Sequence, residues 1–436
     1  MKSTRKRLIA AAVAFTAVLG FGATESHALQ VGSFAPVVFN SGVPNSEVTV
    51  NLTVDNPQAA GFLTAYPCAN GAPNPLTSNV NFRAGQTTST AGIVKSDSSG
   101  NVCVISNVQT DIIVDKFDVR PLTDSQSRNI SFGVHNGLRM VDTRNTGRVA
   151  GSSVFSYHAG APGSTVLMNL TAVNPDTPGY LTAWPCDQPM PVASNVNYVA
   201  GDIVPNFVQT LADGSGNVCV FSTATTDLVI DQVAESSNAF MTTHNPVRKV
   251  DTRTNGTQLS PGVPMAVSVT PGPATVSFNL TAVNPTVAGY LTAYSCDAAR
   301  PATSNVNFVA GETRANFARV RTNGQLCIVS NTTVDVVLDQ VAEDTSVYAS
   351  NGGRVYDSRT IPTPAPVPAP PAPTSPAAGA SCLGGYINVD GNCIPSPTSA
   401  PSAPAGATAQ CRDGTYSFSQ HRQGTCSYHG GVARWL

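Results

Sequence analysis

The chain has 436 residues, a net charge of -2 and only 11% charged residues, against about a quarter in a typical soluble domain. That balance excludes a basic field for nucleic acid or anionic lipid. The length exceeds one ordinary core, so several domains are expected, with solubility drawn from Asn, Thr, Ser and Gln.

In chain order, Lys2, Arg5, Lys6 and Arg7 precede an apolar run from Leu8 to Ala23 and a small-residue step at Ser26-His27-Ala28. This is the layout of a secretory signal peptide over 1–28, so the mature chain is expected to start at Leu29, outside the cytoplasm. No later stretch is long and apolar enough to span a bilayer. The 10 Cys residues form an even set in an exported chain, which favours disulfides over thiols.

Self-comparison then finds one block three times. Asn51-Leu52-Thr53 leads to Gly61-Phe62-Leu63-Thr64-Ala65-Tyr66-Pro67-Cys68. The same run recurs from Asn169 to Cys186 and from Asn279 to Cys296. A Ser-Asn-Val-Asn-aromatic step begins at Ser78, Ser194 and Ser304, and an Ala-Gly step ends at Gly85, Gly201 and Gly311. Next come second cysteines, Cys103, Cys219 and Cys327, and a strand flanked by aspartates: Asp111 and Asp115, Asp227 and Asp231, Asp335 and Asp339. Last is an Arg-x-x-Asp-Thr/Ser-Arg step: Arg139, Asp142 and Arg144; Arg248, Asp251 and Arg253; Arg354, Asp357 and Arg359. This step is absent before the first block and present after the third. Cutting after each one gives domains at 29–144, 145–253 and 254–360, each step expected to fold with the block before it.

Inside each block the apolar period is two: Val48, Val50, Leu52 and Val54 alternate with Glu47, Thr49, Asn51 and Thr53. Such alternation predicts a strand with one face buried. Asn-Pro at Asn56, Asn174 and Asn284 ends it. The fold class is all-β: three tandem β-sandwich-like domains, with a closed barrel or trefoil as the alternative. Cys68 is paired with Cys103, Cys186 with Cys219 and Cys296 with Cys327.

These steps resemble a repeat of exported actinobacterial proteins, where it accompanies hydrolases or stands in tandem. The resemblance implies no activity of its own.

Residues 361–380 and 395–409 are rich in Pro, Ala, Ser and Thr and read as extended spacers. Between them, 381–394 is a hairpin stapled by Cys382 and Cys393, since it is too short to have a core. The segment 410–436 carries Cys411-x-Asp-Gly-Thr-Tyr-Ser and Gly424-Thr-Cys-Ser-x-His-Gly-Gly-Val. It resembles a small bacterial C-terminal domain family of unknown function.

Three chemical readings compete with bland ones. Cys411, His421, Cys426 and His429 make a possible zinc set, but export favours a Cys411–Cys426 disulfide. The repeated aspartates could bind calcium. Without a dense Asp/Asn/Gly loop, pairing with Arg139, Arg248, Arg354 and their neighbours is preferred, tying the last segment to the sheet. Tyr66, Trp184 and Tyr294 could stack on sugar rings, though core positions are commoner for such residues. His135 and His244 recur before Asn, but the third block has no equivalent, which argues against a shared catalytic His. No catalytic residue and no cofactor is expected. The leading function is a non-catalytic envelope or extracellular protein, a stalk presenting or anchoring the C-terminal domain. The alternatives are a binder of cell-wall polysaccharide or of another envelope protein, and a hydrolase accessory with its activity in the tail.

Overall fold

The computed structural model describes residues 30–71, 77–122, 130–132, 138–236, 241–345, 352–360 and 382–436. The leader at 1–28, the spacer at 361–380 and His135 lie outside them. The chain divides into two compact units, Met1–Thr363 and Pro364–Leu436.

The first unit holds three β-sandwiches of antiparallel strands. In each, a central strand runs between two partners: Ser46–Asp55, Thr165–Val173 and Met265–Val283 in blocks 1, 2 and 3. One partner is an aspartate strand, Asp111–Pro121, Asp227–Ser236 or Asp335–Asp344. The other is Thr88–Lys95, Ile203–Leu211 or Arg314–Ser330. A second layer is built on Gly61–Pro67, Gly179–Pro185 and Gly289–Ser295. In blocks 1 and 2 the layers are separate sheets. In block 3 two strands run from one layer into the other, with a register break between Ser268 and Pro273.

The apolar alternates of the central strands fill one core per block. Val48, Val50, Leu52 and Val54 lie in the first, Val166, Met168 and Leu170 in the second, Val276, Phe278 and Leu280 in the third. The opposite face departs from expectation. Glu47, Thr49, Asn51 and Thr53 are buried too, because this polar face packs against the neighbouring blocks. Asn51 Nδ2 donates to the Ser304 carbonyl of block 3 at 2.7 Å, Asn169 to Ser78 of block 1 at 2.6 Å, and Asn279 to Ser194 of block 2 at 2.6 Å. The cycle returns to its start, so the three blocks close head to tail. At their junction Ile93, Leu167, Phe207, Phe317 and Val341 form a further apolar cluster drawn from all three.

Several repeated motifs acquire a structural role. Asn79, Asn195 and Asn305 each accept the backbone N–H of Ala65, Ala183 or Ala293 at 2.7 Å. Asn56, Asn174 and Asn284 sit at φ of +47°, +48° and +41°, a region Asn tolerates. The prolines after them accept the N–H of Gly85, Gly201 and Gly311.

The arginine step corrects the expected boundaries. Leu138–Asp142 pairs with Asp227–Ser236 of block 2, and Thr242–Asp251 with Asp335–Asp344 of block 3. The third, Gly353–Asp357, pairs with Asp111–Pro121 of block 1. Each step therefore completes the following block, and the last closes the unit on the first. The reason is partly apolar: Val141 joins the core of block 2, Val250 that of block 3, and Val355 with Tyr356 that of block 1.

In the second unit Gly385–Ile387 pairs with Cys393–Pro395, and Cys382 is bonded to Cys393. The stretch 395–409 is not a spacer. Thr398–Ser399 pairs with Thr415 and Tyr416, and the fully buried Ala409 starts a strand between Thr415–Ser417 and Val432–Trp435. Pro-rich composition there serves a small sheet with little room for a core of its own.

Candidate functional site

The arginine strands position the densest polar chemistry of the first unit, and the arrangement occurs three times. Arg139 Nε meets Asp231 at 2.5 Å and its Nη1 meets Asp142 at 2.9 Å. Arg248 does the same with Asp339 at 2.5 Å and Asp251 at 2.8 Å, and Arg354 with Asp115 at 2.9 Å and Asp357 at 3.0 Å. The second arginine of each step, Arg144, Arg253 or Arg359, forks onto the aspartate two residues before it. The intervening hydroxyl completes the clasp. Thr143 donates to Asp227 at 3.1 Å, Thr252 to Asp335 at 2.7 Å and Ser358 to Asp111 at 2.7 Å. Each also accepts the backbone N–H that follows that aspartate: Leu228, Val336 or Ile112.

The expected Asp–Arg chemistry is thus present with a different partner. Asp111 and Asp115 meet Ser358 and Arg354 from the end of the unit, not the nearer Arg139 and Arg144. Bidentate guanidinium geometry suits this joint, because it fixes orientation as well as charge. Burial pushes the carboxyls of Asp115, Asp231 and Asp339 above the ordinary value even though the arginines pull them down. The exposed side behaves oppositely: hydrogen bonds from Arg144 and Arg253 hold Asp142 and Asp251 below it. Every clasp carboxylate is committed to an arginine or a hydroxyl. The clasp chemically holds strands.

Cys68–Cys103, Cys186–Cys219 and Cys296–Cys327 are bonded, with Cα atoms 5.0, 5.0 and 4.9 Å apart. Tyr66, Trp184 and Tyr294 lie beside these cystines and are 6%, 5% and 6% exposed. They are interior residues, not a sugar platform, and Trp184 Nε1 donates to the Gln188 carbonyl at 3.0 Å. At the other end of the same strands Tyr180 is exposed, and Phe62 and Tyr290 are half-buried.

Sequence reasoning also missed a fully buried cation. Arg319, 0% exposed, donates to Glu47 of block 1 at 2.6 Å, to Ser277 of its own block at 3.2 Å and to Gln209 of block 2 at 3.3 Å. Its block 1 and block 2 counterparts are Ile93 and Gln209, so no repeated motif flagged it.

In the second unit Cys411 is bonded to Cys426, so neither thiolate is free to join His421 and His429 on zinc. The two histidines are apart in role. His421 Nε2 meets Asp390 of the hairpin at 2.5 Å, and Asn388 and Asn392 donate to Gln420 beside it at 2.9 and 3.0 Å. His429 Nδ1 meets Asp413 at 2.5 Å. Hydrogen bonds from Thr415, followed by His429, pull the Asp413 carboxyl down to about 2. A 520 Å³ groove is lined by Tyr386, Asn388, Ser419, His421 and Arg422 among others, and Arg422 lies over the Trp435 ring.

Comparison with known proteins assigns one segment. Residues 404–436 match a family described as a domain of unknown function (DUF3761). No curated protein matches the chain. Among solved structures, one described as the triple jelly roll fold and turret assembly in an archaeal virus is 12% identical, covering 72% of this chain and 83% of that chain with a TM-score of 0.20. Another, of Sulfolobus Turreted Icosahedral Virus, is 12% identical over 72% and 84%, with a TM-score of 0.20. The STIV MCP crystal structure is 6% identical over 50% and 98%, with a TM-score of 0.24. Likenesses of this size carry no argument for this chain.

Proposed function

We propose that the chain is a non-catalytic exported protein in which residues 30–360 form a closed scaffold body and the C-terminal unit, on its Pro-rich spacer, is the part presented to the surroundings. The observation that carries this reading is the return of Gly353–Asp357 to block 1. The Asp and Arg side chains that recur in all three blocks are spent on that closure and its two internal equivalents. Five disulfides suit an oxidising compartment. Among the described residues no helix is long and apolar enough to cross a membrane. In this reading the closed body serves as the stalk that presents the C-terminal domain.

The test is expression of the full chain in a bacterial host, followed by fractionation, thiol counting and assay against peptidoglycan and soluble polysaccharides. The reading expects export, no free thiol and no turnover. Cytoplasmic retention with reduced cysteines would overturn the location. Turnover that survives removal of 382–436 would overturn the scaffold.

A further inference from the structure

The seam between block 3 and the returning strand of block 1 contains a 520 Å³ cavity lined by Tyr290, Arg300, Pro301, Ala302, Thr303, Ser304 and Arg354. That volume lies in the range of small-molecule sites. We propose that this seam binds an anionic saccharide, a sugar ring bearing a carboxylate of the uronic-acid type. The inference goes beyond the scaffold reading and does not depend on it.

Three observations point to a ligand. Arg300 is exposed, and its contacts among the described residues are the Tyr290 hydroxyl at 2.9 Å and the Tyr290 ring, 5.9 Å from its guanidinium carbon. It therefore differs from Arg354 across the cavity, whose charge is met by Asp115 and Asp357. Thr303 in the cavity wall is 6% exposed, and its hydroxyl has no hydrogen-bond partner, an arrangement native proteins rarely leave without a purpose. Finally, the wall mixes an aromatic ring and the carbons of Pro301 and Ala302 with hydroxyls and a guanidinium. An inorganic anion would use only the guanidinium. A sugar acid uses all of it: its C–H face against Tyr290, its hydroxyls toward Thr303 and Ser304, its carboxylate at Arg300.

Block 2 contains the same seam with the chemistry removed. There Met190 stands for Arg300 and Ala193 for Thr303, at equal distances from the preceding cysteine and the following Ser-Asn-Val-Asn step. The clasp arginine is retained, Arg248 donating to the Val192 carbonyl at 2.8 Å as Arg354 does to Ala302 at 3.3 Å. The shared part is therefore structural, and what block 3 adds is an exposed charge and, in the cavity wall, a buried hydroxyl without a partner.

The experiment titrates the full chain with D-glucuronate, D-glucose and inorganic phosphate by saturation-transfer NMR and calorimetry. Glucuronate should bind saturably, with glucose and phosphate weaker by about tenfold or more. Arg300→Met and Thr303→Ala import the block 2 residues, so they should fold and melt like the parent. The first should weaken glucuronate by about tenfold and the second by a few fold. No saturable glucuronate binding, equal binding of glucose or phosphate, or an affinity unchanged in Arg300→Met would each overturn the proposal.

Discussion

Replacing Arg319 by methionine tests how the three blocks are held together. The side chain is fully buried, and its main partner Glu47 is equally enclosed, with Oε2 lacking any hydrogen-bond partner. Methionine keeps most of the apolar stem but removes the charge. Glu47 loses its hydrogen-bonded cation and keeps only the electrostatic pull of Arg120, which is itself bonded to Asp118 at 2.7 Å. Breaking one side of such a pair costs about 3–5 kcal/mol, a large part of the roughly 5–15 kcal/mol that stabilises a typical domain. Adding Glu47→Gln should restore most of the loss, since a neutral pair carries no stranded charge. The assay is urea unfolding followed by the fluorescence of Trp184, in a Trp435→Phe background. Trp184 lies in block 2, while Arg319 belongs to block 3. A shift in its transition therefore also reports that the blocks unfold together. A loss below about 1 kcal/mol, or a double variant no better than Arg319→Met, would refute the argument.

Other expectations follow from the clasp, the cystines and the tail. Arg248→Leu strands Asp339 and should cost about 3 kcal/mol at neutral pH. Burial already holds that carboxyl above its ordinary value, so the folded state binds its proton more tightly than the unfolded state. Stability from this group falls as pH rises through that window, and melting curves should show the variant's deficit shrinking in acid. A deficit independent of pH would count against a charge effect. Replacing Cys186 and Cys219 by alanine opens a loop with a sequence separation of 33, which should cost about 3–4 kcal/mol in the chain-entropy model, read by thermal unfolding under oxidising conditions. Asp413 should titrate near 2 by carboxyl NMR, and Thr415→Val should move it up toward the ordinary range. Because the folded value is depressed, its contribution to stability is present above the ordinary carboxylate pKa and is lost as pH falls toward 2. Gly216→Ala should destabilise block 2, because Gly216 sits at φ +84° and an added Cβ meets the Gly160 carbonyl. An unchanged melting temperature would remove that claim.

Much of each sandwich was legible because it is written in local pattern. The period-two run from Val48 to Val54 gives a strand, and the Cys68 and Cys103 positions recur despite changes in the length between them. What could not be read was the neighbour each element serves. Three blocks and three arginine steps give the same count whether a step completes the block before it or after it. Only the strand pairings decide, that of Gly353–Asp357 with Asp111–Pro121 among them. The polar face of Ser46–Asp55 misled for a related reason. Asn and Thr in alternation signal solvent when a strand is considered alone, yet here Asn51 meets a carbonyl of another copy and the Thr side chains are buried beside it. Tyr66 and Phe62 share a strand face, and nothing local says that the cystine covers the first more fully. The seam residues did leave a trace. Arg300 breaks the repeat where block 2 has Met190, and a departure between copies marks specialised chemistry better than their agreement does.

The closing strand also decides how the body would answer to tension. Val31 bridges Thr110, and Asp357 lies opposite Ile113, so the first and last described strands of this unit are anchored on one block. A pull applied between Val31 and Asp357 is carried first by the few backbone bonds of that block, before the other two are loaded. Only after Gly353–Asp357 peels away could they come under strain, which makes that short pairing the fuse of the whole assembly.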